Sequence, residues 1–153
     1  MRIAIVNDSA IALESMKRII LSTKQHELAW VALDGVEALD KCNKDRPSLI
    51  LMDLLMPNMG GVEATRIIMG KCPCPILIVT GSVYGNASLV FEAMGHGALD
   101  VVNTPAPHEI NAEAGKALLK KISTIEKLTK QTGPKRKPAH SPVMEKINKT
   151  DEK

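Results

Sequence analysis

Leu49-Ile50-Leu51-Met52-Asp53-Leu54-Leu55-Met56-Pro57 is the stretch whose reading decides the fold. Four aliphatic residues run without alternation and end at a carboxylate. That is the pattern of a strand covered on both faces, as in a parallel sheet. Met56-Pro57 and Gly60-Gly61 then supply a turn that redirects the chain into a helix.

Four similar runs flank it: Ile3–Val6, Leu28–Leu33, Ile76–Val79 and Leu99–Val102. Between the runs lie stretches with helical spacing. Ile11, Ser15 and Ile19 with Met16 and Ile20 make one apolar stripe, and Val36, Leu39 and Cys42 another. Val62 and Ile67 with Met69, then Leu89 and Ala93 with Val90, are weaker versions. Ala117-Leu118, Ile122, Ile125 and Leu128 close the series. Asn86 and Asn111 stand at cap positions, Gly70 and Gly95 near helix ends, and Pro47 and Pro75 before strands. Strands alternating with helices predict an α/β fold: a doubly wound, five-stranded parallel sheet in a three-layer αβα sandwich. Five such units in about 130 residues fit the flavodoxin-like order 2-1-3-4-5.

In such a sheet, ligands bind outside the carboxyl ends of the strands, at the switch between strands 1 and 3. Asn7-Asp8 follow the first strand, Asp53 the third, and Thr80-Gly81 the fourth. Two converging carboxylates repel and resist ionising together. A hard cation such as Mg²⁺ resolves this, since it takes oxygen ligands and keeps several waters. A carboxylate there can also attack phosphorus and carry an acyl phosphate. Thr80 stands where its hydroxyl could bond a phosphoryl oxygen. Read singly, Asp8 or Asp53 is equally a cap or turn former, and Thr80 a structural hydroxyl. Their joint placement at three adjacent strand ends carries the signal. Asn7-Asp8-Ser9-Ala10 is not a flavin phosphate loop, and no Gly-rich dinucleotide turn, Walker motif or Gly-x-Ser-x-Gly elbow is present. His26, His96, His108 and His140 are scattered and read as surface or structural residues.

Composition agrees with one such domain. The 153 residues are 44% hydrophobic and 24% charged, ordinary for a globular chain. Trp30, Tyr84 and Phe91 are the three aromatics, too few for stacking on nucleic-acid bases. Cys42, Cys72 and Cys74 lack metal-ligand spacing and read as reduced thiols of a cytoplasmic protein. No apolar run reaches the roughly 18 residues of a membrane helix, so neither nucleic acid nor membrane insertion is expected. The net charge of +3 is uneven. Residues 1–129 hold 13 basic against 14 acidic side chains, and 130–153 hold seven against three. The first part is therefore read as the domain. The second, with Lys135-Arg136-Lys137, is read as a basic, Pro-containing linker or tail.

Several motifs together carry a resemblance. Ile5-Val6-Asn7-Asp8, Leu51-Met52-Asp53-Leu54-Leu55-Met56-Pro57, Gly61, Val79-Thr80-Gly81 and Gly97-Ala98-Leu99-Asp100 before Pro105 resemble the receiver domains of bacterial two-component response regulators, over about residues 1–129. Gly61-Val62-Glu63-Ala64-Thr65-Arg66 and the run Phe91 to Pro105 look like the N-terminal receiver of the chemotaxis protein-glutamate methylesterase. They are nearest the branch serving chemosensory pathways other than flagellar steering. The resemblance implies that Asp53 is the phosphoacceptor and a histidine kinase the donor. It implies that Asp8 binds Mg²⁺ directly, the Leu55 backbone carbonyl is the third protein ligand, and the Thr80 hydroxyl switches toward the phosphoryl group.

Three positions depart from the family pattern. Asn7 replaces the first acidic residue and would hold the metal through a water. Thr104 replaces the lysine before the strand-5 proline. Val101 replaces the aromatic switch residue. A hydroxyl does not replace an ammonium, so the phosphorylated state is expected to be less stabilised. The methylesterase branch carries similar Asn-Asp and Asn-Thr-Pro variants. The family's esterase domain, with its catalytic Ser, His and Asp, has no counterpart in these residues. Two other readings stand beside the phosphorylated receiver that regulates a partner or an attached esterase. One is a pseudo-receiver that binds partners without phosphorylation. The other is a haloacid-type phosphohydrolase, which needs an Asp two residues after Asp53, where Leu55 stands.

Overall fold

The five aliphatic runs assemble into a single parallel sheet. The computed structural model describes residues 1–105 and 113–132. Its elements are β1 (Arg2–Val6), α1 (Ala10–Leu21), β2 (Glu27–Ala32), α2 (Gly35–Lys44), β3 (Leu49–Met52), α3 (Gly61–Lys71), β4 (Ile76–Thr80), α4 (Ala87–Gly95), β5 (Asp100–Asn103) and α5 (Glu113–Thr132). The order across the sheet is β2-β1-β3-β4-β5, and every neighbouring pair is parallel. This is the predicted order.

Period two along the strands divides the core. Ala4, Val6, Ile50, Met52, Ile76 and Ile78 face α2, α3 and α4. Ile3, Ile5, Leu49, Leu51, Leu77 and Val79 face α1 and α5. β1, β3 and β4 are covered on both faces, which is why their sequences are unbroken aliphatic runs. The edge strand β2 is only half-buried up to Ala32. It ends one residue before the predicted run, and Leu33 is exposed beyond it.

Helix phase departs from the sequence reading in several places. Ile11, expected in the stripe of α1, is 65% exposed; Ser15, Met16, Ile19 and Ile20 of that stripe are buried, joined by Ala12 and Leu13. Val36 is exposed while Ala38 and Cys42 point inward. Ala117 and Leu128 are exposed, leaving Leu118, Ile122 and Ile125 as the buried face of α5. In α3 the fully buried residues are Gly61, Ala64, Thr65 and Ile68; Val62, Ile67 and Met69 are half-buried, with Val62 and Met69 packed against the rim of the core. The fully buried set has ideal i, i+3, i+4, i+7 spacing. It escapes a hydrophobicity count because three of its four members are small; at Gly61 the Asp53 carbonyl leaves no room for a side chain.

The loop after β3 is pinned to the start of α2. Asp34 caps that helix, its Oδ1 accepting from the Glu37 N–H at 2.9 Å. Its Oδ2 accepts from Asn58 Nδ2 at 2.7 Å. Asn58 itself has a left-handed backbone, φ 65°, which asparagine tolerates better than most residues. Gly35 N–H donates to the Met59 carbonyl at 2.9 Å. The Asn58 amide and the helix amides hold the Asp34 carboxyl below its ordinary value. Asp34→Ala is therefore expected to lose about 1–2 kcal/mol, the cost of a cap together with a tertiary hydrogen bond. Urea denaturation at neutral pH reads this, and an unchanged midpoint counts against it.

The three cysteines close the far ends of α2 and α3. Cys72 Sγ donates to the Cys42 carbonyl at 3.1 Å, and all three thiols are buried and free. Burial pushes the Cys42 thiol up, and Cys74 to about 11, so they act as packing groups at neutral pH. Among the described residues no helix is long and apolar enough to cross a membrane. Asn111, His108, His140 and the basic run 135–137 lie outside the described residues. Helix α5 continues to Thr132, past the boundary read at 129.

Candidate functional site

Register brings the acidic residues together. Val6 of β1 lies level with Met52 of β3, so the chain leaves both strands side by side. Asp53 N–H donates back to the Val6 carbonyl at 3.0 Å. From β1 the path is a tight turn into a helix. Asn7 is 4% exposed, and its Oδ1 accepts from the Ser9 N–H at 2.8 Å. Ser9 then caps α1, its Oγ accepting from the Ala12 N–H at 3.2 Å. This leaves Asp8 exposed at the tip of the turn.

Asp53 is half-buried at the end of a fully buried strand. Its Oδ1 accepts from the Leu54 N–H at 2.9 Å. Burial is the main force on its carboxyl, with the Asp8 charge added; the N–H groups of Leu54 and Leu55 oppose them. The net result is a carboxyl raised to about 6.

Thr80 ends β4 and is 1% exposed. Its carbonyl accepts from the Thr104 N–H at 2.8 Å, which ties the ends of β4 and β5 together. Its Oγ1 accepts from Asn86 Nδ2 at 3.0 Å. Leu55 exposes its side chain and directs its N–H toward Asp53. Val101 lies within the edge strand β5, opposite Ile78 and short of the carboxyl ends where Thr80 and Asn103 stand. A shallow groove of about 450 Å³, lined by Leu54, Leu55, Met56, Val62 and Leu89, adjoins the loop after Asp53.

The donor set admits a hard cation. It holds two carboxylates, one of them raised chiefly by burial, and backbone carbonyls at open strand ends. Among the described residues no group of three or more His, Cys, Asp or Glu side chains is gathered for a metal. A cation here would rely on Asp8, Asp53, a main-chain oxygen and water. Asn86 is the residue whose part in the site sequence reading missed. Its spacing marks only a helix-cap position, which it occupies, and only the path of the loop brings its side chain back to Thr80.

A parallel sheet in this order, with carboxylates gathered at the carboxyl edge, is the architecture of a signalling receiver. The response regulator receiver domain model matches residues 3–114, and the chain belongs to that family. It is similar to two proteins described as protein-glutamate methylesterase/protein-glutamine glutaminase. The one from Mesorhizobium japonicum is 50% identical over 131 residues, covering 84% of this chain and 39% of the relative. The one from Pseudomonas fluorescens is 51% identical over 144 residues, covering 94% and 43%. The chain thus spans about two fifths of the length of these curated relatives. Among solved structures, the response regulator domain of Thermotoga maritima CheB matches with a TM-score of 0.70 and 30% identity, covering 83% of this chain and 94% of that one. A CheY-like receiver from Methanospirillum hungatei matches with a TM-score of 0.73 and 25% identity, covering 86% and 98%.

Proposed function

We propose that this is a phosphoacceptor domain of a chemosensory two-component pathway, with Asp53 as the acceptor. The observation that carries the reading is the Asp53 carboxyl. It is half-buried at the centre of the carboxyl edge, raised to about 6, with Asp8 beside it. An oxygen of Asp53 forms the new bond to phosphorus, while the bond from phosphorus to the imidazole nitrogen of a histidine kinase breaks. The Thr80 hydroxyl donates to a phosphoryl oxygen. Thr104, standing where the family has lysine, offers a hydroxyl and no cation, so the product is held less tightly. Mg²⁺, held by Asp8, Asp53 and the Leu55 carbonyl and reached by Asn7 through a water, would neutralise charge on the phosphoryl group. The acceptor unit is residues 1–129, working in the cytoplasm and followed by a linker. The phosphoryl group then alters affinity for a protein partner or an attached esterase domain, as the likeness to the methylesterases supports.

A phosphorylation-independent interaction module is the second reading. Two observations favour it: Asn7 Oδ1 is already engaged by the Ser9 N–H, and Thr104 is no substitute for a lysine.

Incubation with Mg²⁺ and a small acyl phosphate should add the mass of one phosphoryl group to the intact protein and none to Asp53→Asn. Absence of incorporation, together with no Mg²⁺-dependent binding of beryllofluoride, overturns the phosphoacceptor reading and leaves the second.

A further inference from the structure

Asn86 stands where a helix cap belongs and does not cap. It precedes α4, yet its side chain makes no bond to the first-turn amides. Its backbone, φ −114° and ψ 26°, lies outside the extended region that capping residues adopt. The side-chain amide is turned back onto β4 instead, where Nδ2 holds Thr80 Oγ1 at 3.0 Å. The intervening loop is fastened around this contact. Asn86 N–H donates to the Ser82 carbonyl at 3.1 Å, Gly85 N–H to Ser82 Oγ at 2.9 Å, and Val83 N–H to Asn103 Oδ1 at 3.0 Å. The Asp53 carboxylate, meanwhile, takes its bonds from the N–H groups of Leu54 and Leu55. The Thr80 hydroxyl is therefore engaged on the side of α4, not on the side of Asp53.

We propose that Asn86 is a positioning residue that couples the site to α4 by exchanging one hydrogen bond for another. In the resting protein its amide restrains the Thr80 hydroxyl. When Thr80 turns to an anionic group on Asp53, the amide is released, and Asn86 Oδ1 takes up the first-turn amides of Ser88 and Leu89. Capping requires ψ of Asn86 to swing to the extended region, which shifts the first turn of α4 and the exposed Phe91 one turn further on. Both bonds are ordinary neutral hydrogen bonds, so the exchange lies near balance. A differential contact of the anionic group then decides the population. The inference rests on the phosphoacceptor reading of Asp53.

Beryllofluoride with Mg²⁺ is the probe, and calorimetry and amide hydrogen exchange are the readouts. Asn86→Ala should bind the probe about two- to tenfold more tightly than the unaltered protein, because the restraining bond is gone. The amides of Ser88 and Leu89 should gain protection on binding in the unaltered protein and not in Asn86→Ala. Asn86→Ser, too short to reach Thr80 but able to cap, should show that protection without the probe. Equal or weaker binding by Asn86→Ala, or the same gain of protection in both proteins, overturns the coupling alone. Failure of the unaltered protein to bind beryllofluoride overturns the phosphoacceptor reading and the coupling with it.

Discussion

Asp53→Asn is expected to make the metal-free domain more stable at pH 7, by about 1–2 kcal/mol, while removing all phosphoryl incorporation. The Asp53 carboxyl is raised from 3.8 to about 6 by burial and by Asp8. A two-unit shift is a ceiling of about 3 kcal/mol, and water around the half-exposed group screens it to the lower figure. A raised carboxyl means that the folded state binds the proton more tightly than the unfolded chain. Stability is therefore greatest below the unfolded value, falls as pH rises through about 4 to 6, and stays at its lower level above. Asparagine keeps an oxygen for the Leu54 N–H and removes the charge, so this pH slope should vanish. Mg²⁺ should reverse the order, stabilising the unaltered protein through its carboxylates and leaving Asp53→Asn nearly unaffected. Urea denaturation across this pH range, with and without Mg²⁺, measures both effects. A variant no more stable than the parent at pH 7 would show that the site holds no stored electrostatic cost.

Gly61→Ala should be the most damaging addition of a single methyl group. A Cβ there would overlap the Asp53 carbonyl oxygen and lie 2.9 Å from its carbonyl carbon and 3.0 Å from Leu54 Cα. All three are main-chain atoms, so no rotamer change relieves the clash. Gly61 N–H also donates to the Leu54 carbonyl at 2.9 Å. The first residue of α3 thus lies flush against the peptide that carries Asp53. Relief requires α3 to move outward, which strips Ala64 and Ile68 from the core. It otherwise requires the Asp53–Leu54 peptide to tilt, which displaces the carboxylate. We expect a loss of about 3 kcal/mol or more, at the upper end for overpacked sites, with phosphoryl incorporation falling in whatever protein remains folded. Gly70→Ala is the internal control. Nothing lies within 4 Å of a Cβ at Gly70, so the helix-propensity gain of about 0.5–1 kcal/mol should appear unopposed. If Gly61→Ala and Gly70→Ala have similar stabilities, the close approach of α3 to Asp53 is wrong.

Legibility in the sequence followed the range of the interactions. The central strands were plain because two-sided burial writes itself as an unbroken aliphatic run. Leu49–Met52 was located to the residue. The edge strand and the end strand shifted by one, as Leu33 and Leu99 show, because one-sided cover leaves a weaker pattern. Helix phase was lost wherever small side chains faced the sheet. Gly61, Ala64 and Thr65 are core residues by position, not by hydrophobicity.

The sequence alone determined the sheet order and the edge at which Asp8, Asp53 and Thr80 meet. Strand period, strand ends and the short connections between them are local properties, and parallel winding leaves few ways to join them. The tertiary structure alone decided three things: how far the Asp53 carboxyl is pushed toward neutrality, which face of α3 is inward, and what Asn86 holds. Desolvation belongs to a group's surroundings, close approach to two backbones at once, and the Asn86–Thr80 bond to the path of a loop. None of these is carried by a residue's identity or by its spacing along the chain.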